Sequence, residues 1–481
     1  MQGSNSTTKT DRSPEYVWET VVQVTNRVGT DEAKAIRVLL YLALLTPGGS
    51  TFRDRLRSRV NFLRRVALPK GRTLAPAAKG KPLFAFLYDS PANTNNLLPV
   101  FEAARKRGWQ PTVLSGHRVD LEAKGLSNHA PLVGINELMA LIAAKEWLAA
   151  LTGARKHYKA IAEEFERQGL PWAAEVKRDS VAIIHELALA MVATCGLRRL
   201  YSEWEPSFVI STANLWPFDC AVYDEARRLG IPSFIIQHGV TNHYWWPFAA
   251  SKMLLWGKRF ENELIEFGAG ADQLSVCGMP AADPIFSRHQ HSAASQTSKS
   301  ASSMVVLSHT HARATNPQLY EKFHALFQAI VIATPSIQWS VKLHPNEDDS
   351  FYRSLLNRRP TNFRVLPKSM PLEEAVTGAD LACTLYSTSG FEAMMMRRPL
   401  VVFDLDPIIH EYAWWPKFGG GIYVNNLETM LDFAGKASSN PLYLADLVTR
   451  QDWFLEQNFA NHGRAADCML DTVEEVVRGR T

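Results

Sequence analysis

The chain has 481 residues, 46% of them hydrophobic and 21% charged. That is the balance of a folded globular protein too long for one core, and it excludes a mainly disordered chain. Five scattered cysteines, odd in number and never arranged as CxxC or near a histidine pair at ligand spacing, argue against a disulfide framework and a structural zinc. The net charge of +4 is unevenly placed: residues 52 to 72 hold eight cations and one anion, leaving −3 for the rest.

The polar start "MQGSNSTTKTDRSPEYVWET" has no apolar signal core, and the run "VLLYLALL" at 38 to 45 is far short of the roughly 20 residues that span a bilayer. A cytoplasmic protein is expected. Residues 14 to 68 read as helices, and residues 1 to 75 as a basic helical extension. Within it Phe52, Leu56, Val60, Leu63 and Ala67 recur at helical spacing. The arginine-rich segment is either an amphipathic helix on the anionic inner face of the cytoplasmic membrane or the solvated face of a packed helix. No aromatic stacking pattern accompanies the arginines, so nucleic acid is not an expected partner.

Residues 80 to 115 then run strand, loop, amphipathic helix, turn, strand, a βαβ unit. From about 134 to 205 apolar residues recur at three and four, which predicts a helical insertion. Strand, helix and strand follow in "PSFVISTANL", "DCAVYDEARRLG" and "PSFIIQHG". The pattern closes a first Rossmann-like domain over 76–247, and a second is expected over 248–435, with helices from 436 to 481. The second domain reads as further strands with crossovers, at "KMLLWG", "QLSVCGMP", "SMVVLSHT", "IQWSVKLHP", "FRVLP", "LACTLYSTSG" and "PLVVFDLD". The fold class is therefore α/β, two Rossmann-like domains expected to face one another across a cleft.

Several predicted strands empty into polar loops, as ligand-binding carboxyl edges of parallel sheets do. After the first strand come Asp89, Asn93 and Asn95; after "SFII" come Gln237, His238 and Gly239, a glycine free to take positive φ. In the second domain Ser308, His309 and Thr310 follow one strand, while Lys342, His344 and Pro345 end another. A third opens into Tyr386, Ser387, Thr388, Ser389 and Gly390, with Glu392 one turn into the next helix. Hydroxyls and unpaired amides at a helix start attract anions. Taken singly, each feature also has a plain structural reading: a helix cap, a turn, a core histidine. The aromatic run Tyr244, Trp245, Trp246 is either a platform for a sugar ring or domain packing. The "DLD" at 404 to 406 reads as a helix-leading cap, so no metal site is expected.

The series "IIQHG", "LLWG", "VCGMPAADP", "KLHP" and "STSGFEAMMMRRPLVVFD" resembles the GT-B glycosyltransferases of bacterial surface and capsule polysaccharide synthesis. The branch it looks like contains the polysialyltransferases, the Kdo transferases and the CDP-glycerol glycerophosphotransferases. The resemblance implies a metal-independent, cofactor-free enzyme that moves a sugar from a nucleotide donor to a polysaccharide or lipid-linked glycan. It implies His344 and the Ser387 to Ser389 hydroxyls on the donor phosphate, Glu392 on the ribose, and Gly278 to Pro280 at the cleft. Asp89 is the expected base and His238 a binding or electrostatic residue. Many retaining enzymes of this group carry a glutamate where this chain has Thr384, which favours a CMP- or CDP-linked donor over UDP. The other readings are a UDP-N-acetylhexosamine 2-epimerase, a CDP-glycerol glycerophosphotransferase, or a non-catalytic scaffold of an assembly complex.

Overall fold

The computed structural model describes residues 14–45, 79–87, 91–116, 126, 130–178, 180–212, 216–289, 301–308, 317–344, 347, 349–357 and 360–479. The expected site residues Asp89, His309, Thr310 and Pro345, and the basic stretch 52 to 72, lie outside them. The chain divides into two compact units. One comprises Met1–Leu255, Arg259–Pro280 and Ala466–Thr481, the other Trp256–Lys258 and Ala281–Ala465.

The first unit is built on β1 (Leu83–Phe86), β2 (Thr112–Ser115), β3 (Leu132–Gly134), β4 (Val209–Ser211), β5 (Ser233–Ile236), β6 (Lys252–Leu255) and β7 (Leu274–Val276). They form one sheet in the order β3-β2-β1-β4-β5-β6-β7, every pair parallel. The strands are short apolar runs rather than alternating ones because helices cover both faces of a parallel sheet. β6 and β7 correct the expected boundary at 247. The strand, helix and strand at 252–276 pair onto β5 instead of opening the second sheet, so the first unit ends near 280. The motif reads the same in either sheet; only pairing between distant strands assigns it.

Four helices, Ile135–Ala140, Ala144–Arg167, Ala173–Arg178 and Ser180–Trp204, form the insertion between β3 and β4. By length and composition the last is apolar enough to cross a membrane. Here Ile183, Leu187, Val192 and Leu200 lie in the core, with Val17, Val21 and Leu40 of the N-terminal helices Pro14–Val28 and Arg37–Leu45 in the same cluster.

The second unit contains β8 (Ser303–Leu307), β9 (Gln338–Lys342), β10 (Phe363–Val365), β11 (Leu381–Thr384), β12 (Leu400–Phe403) and β13 (Ile422–Val424), in the order β10-β9-β8-β11-β12-β13. All pairs are parallel. β13 escapes the sequence reading because it follows three glycines, Gly419 to Gly421, that mask its short apolar run. In both sheets strand order reverses at one point, between β1 and β4 and between β8 and β11. Open α/β sheets bind ligands at the carboxyl edge of such points.

Candidate functional site

In the second unit, Lys342 of β9 is level with Leu307 of β8, and Leu307 with Thr384 of β11. The loops carrying His344, Ser308 and Tyr386 to Ser389 therefore leave one edge of one sheet. At about 4.8 Å per strand, the first and last of these strands stand about 10 Å apart, with β8 between.

The turn after β11 is ordered by its own hydroxyls. Thr384 Oγ1 donates to the Leu307 carbonyl at 3.3 Å and accepts from the Ser387 amide at 3.2 Å. Ser387 Oγ accepts from the Ser389 amide at 3.3 Å and donates to Ser389 Oγ at 3.2 Å. Thr388, the residue before the helix Ser389–Met395, makes no side-chain capping bond. The turn thus spends Ser387 on its own shape, while the Thr388 hydroxyl is not used to cap the helix. Gly390 lies where a Cβ would come within 3.0 Å of Leu400, so the helix leaves close against β12. Glu392 is partly buried, and desolvation lifts its carboxyl to about 7. Tyr386 packs its ring on Tyr412 at 5.7 Å.

Glu347, three residues past His344, was not singled out by the sequence. Its side chain is buried. One oxygen accepts from Ser308 Oγ at 2.5 Å and from the His344 amide at 3.4 Å, the other from the Tyr320 hydroxyl. Tyr352 lies 3.2 Å from the same serine hydroxyl. Ser308, expected on the donor phosphate, is therefore committed to Glu347, and the carboxylate ties the His344 loop to β8. The only available sequence signal was a carboxylate beside a histidine in one loop. Burial pushes the His344 ring below its usual range, against the opposing pull of Glu347. Lys342 turns its ammonium onto the carbonyls of Leu343 (3.3 Å) and Lys368 (3.1 Å), and desolvation lowers it.

At the carboxyl edge of the first unit, Ser211 of β4 pairs with Ile235 of β5. Thr212 follows immediately and links two expected residues: its hydroxyl donates to Asn93 Oδ1 at 2.7 Å, and its backbone bonds the His238 ring. His238 packs on Trp245 at 4.9 Å; its Nδ1 is buried without a partner, and desolvation draws it down to about 4. It is a neutral imidazole at pH 7. Gln237 is fully buried and donates to the Gly239 carbonyl at 2.9 Å. Gly239 does not take the positive φ anticipated for it, whereas Gly278 does, at 103°. Pro280 opens a short 3-10 turn, and Asn95 is exposed. Trp245 is buried, and the Trp246 carbonyl accepts from Trp18 Nε1 at 2.8 Å, so this part of the aromatic run packs against the N-terminal helix. Among the described residues no group of three or more His, Cys, Asp or Glu is placed to hold a metal ion.

No protein-family model matches this chain, and no curated protein sequence matches it. Solved structures do. It is similar to UDP-GlcNAc 2-epimerase from Neisseria meningitidis bound to UDP-GlcNAc, at 11% identity and a TM-score of 0.53, over 82% of this chain and 100% of that one. It is similar to a putative UDP-N-acetylglucosamine 2-epimerase from Listeria monocytogenes, at 14% identity and a TM-score of 0.52, over 82% and 96%. HepE from Anabaena in complex with UDP-glucose aligns at 10% identity and a TM-score of 0.51, over 82% and 99%. The chain therefore has the two-Rossmann α/β fold of the GT-B type that these proteins share. The expectation of a glycosyltransferase is corrected by the same finding: the likeness includes UDP-GlcNAc 2-epimerases, and the sugars named with the matched structures are linked to UDP, not to CMP or CDP.

Proposed function

We propose that this protein acts on a nucleotide sugar as an isomerase, inverting C2 of a UDP-linked N-acetylhexosamine without an acceptor. The observation that carries this reading is the similarity to UDP-GlcNAc 2-epimerases along almost their whole length. The polar edges support it. Inversion at a carbon bearing hydrogen needs a group that takes a proton, and weakening the bond to the nucleotide needs donors for the charge that develops there. We assign the diphosphate to the turn from Tyr386 to Ser389 with His344, and the ribose to Glu392.

The test is incubation of the purified protein with UDP-GlcNAc in deuterated water, followed by proton NMR. The expected result is deuterium at C2 together with a second UDP-N-acetylhexosamine. Thr388→Ala is expected to raise KM about tenfold, as loss of one hydrogen bond to a charged group does. If neither UDP-GlcNAc nor UDP-GalNAc gains deuterium at C2, the isomerase reading is wrong.

A further inference from the structure

We propose a second ligand site in the first unit, beside the helix Pro217–Arg228, that takes a small organic anion carrying an apolar ring, with Arg37 as the residue that binds the anionic group. This inference is independent of the isomerase reading.

A cavity of about 760 Å³ lies among the helix Pro14–Val28, the helix Pro217–Arg228 and the segment His243 to Ala249. That volume suits a molecule of metabolite size. Trp18, Tyr244, Trp246 and Phe248 supply its aromatic wall. Asp224 and Arg227 line it from the last turns of their helix, and Glu266 and Phe267 from the end of Lys258–Glu266. The cavity runs beside the helix Pro217–Arg228 from Cys220 in its first turn to Arg227 in its last.

Arg37 is the unusual member of the lining. It is 8% exposed, yet it forms no ion pair among the described residues. Its Nε donates to Thr25 Oγ1 at 2.7 Å and its Nη2 to Asn26 Oδ1 at 2.6 Å, both neutral acceptors. Among the described residues the remaining nitrogen, Nη1, has no acceptor. The nearby carboxylates are engaged: Asp224 by Arg227 at 2.7 Å, and Asp31 by Arg227 at 3.3 Å and Lys34 at 3.8 Å. Burial also lifts Asp224 to about 7, so it is in part uncharged at neutral pH. Desolvation lowers Arg37 only to about 10, and the guanidinium stays charged.

The plain structural role, a brace from Arg37 to the end of the first helix, accounts for Nε and Nη2. It leaves unexplained a buried cation with no ion pair among the described residues, beside a cavity walled by aromatic rings. Buried charges are ordinarily paired. A carboxylate or phosphate oxygen on Nη1 would neutralise the guanidinium through a charge-assisted hydrogen bond, with the ring of the same molecule against Tyr244 and Trp246.

The test uses the full chain and three probes in calorimetry: phenyl phosphate, inorganic phosphate and phenol. Phenyl phosphate is expected to bind with one site per chain, at least about tenfold more tightly than either half alone. Arg37→Gln and Tyr244→Ala are each expected to lose about tenfold in phenyl phosphate affinity. Tyr244→Ala leaves the Arg37 brace intact and serves where Arg37→Gln lowers the melting temperature. Saturating UDP-GlcNAc is expected to leave the binding unchanged, which separates this site from the strand-edge site. No binding of phenyl phosphate, equal binding by wild type and both variants, or full competition by UDP-GlcNAc would each overturn the proposal.

Discussion

His238 is a neutral ring held by the backbone of Thr212 and desolvated on its other side. The unfolded chain takes up this proton near pH 6.5, the folded chain only near 4. A group whose protonation is suppressed by folding makes stability rise with pH across that window, so the folded state loses up to about 3 kcal/mol as pH falls from 6.5 to 4. Urea unfolding at pH 7 and at pH 4.5 should show a drop that shrinks in His238→Gln. An unchanged pH slope in that variant would mean that the ring is hydrated. At this scale the reading from residue types reached Ser387, Thr388, Ser389, His344 and His238, because hydroxyls and imidazoles after apolar runs are visible in the chain itself. Glu347 was not legible. Its importance comes from Ser308 and Tyr320, 39 and 27 residues away, and nothing local marks a loop carboxylate as buried.

Among the elements, short apolar runs bounded by turns identify strands well, since a parallel strand buried on both faces has no alternation to disguise it. What such runs conceal is where backbones touch. Gly257, just past β6, belongs to the second unit, and a Cβ there would lie 1.7 Å from the carbonyl oxygen of Asn458. Two stretches of main chain cross at that point without room for a methyl group. Gly257→Ala is expected to cost about 3 kcal/mol or more, because the obstruction is backbone and not a movable side chain. The check is a denaturant midpoint; a shift below 0.5 kcal/mol, about that of a neutral surface change, would show that the crossing relaxes. The quoted "LLWG" made this glycine visible as a motif, but its reason for being there lies two hundred residues on.

For the molecule as a whole, the chain leaves the first unit near 280 and returns to it at 466. The returning helix, Ala465–Arg478, buries Met469, Leu470 and Val473 in the cluster containing Phe84, Phe101 and Val113. Arg107 holds the same helix through Asp467 at 2.8 Å and Asp471 at 2.7 Å. Three large apolar side chains at about 1.5–3 kcal/mol each sum to about 4.5–9 kcal/mol, comparable with the whole stability of a typical domain. Truncation after residue 464 is therefore expected to lower the melting temperature sharply or to yield insoluble protein. A truncated chain that melts within a few degrees of the full one would show that the helix is dispensable.

Composition, strand and helix types, the helical insertion and the hydroxyl-rich turn were determined by the sequence alone, because each depends on residues within one or two turns of one another. The order of strands in each sheet, the assignment of β6 and β7 to the first unit, the grip of Glu347 and the neutral acceptors on Arg37 were decided by tertiary structure. Those depend on which distant segments pair and which side chains lose water together. Local periodicity carries no record of either.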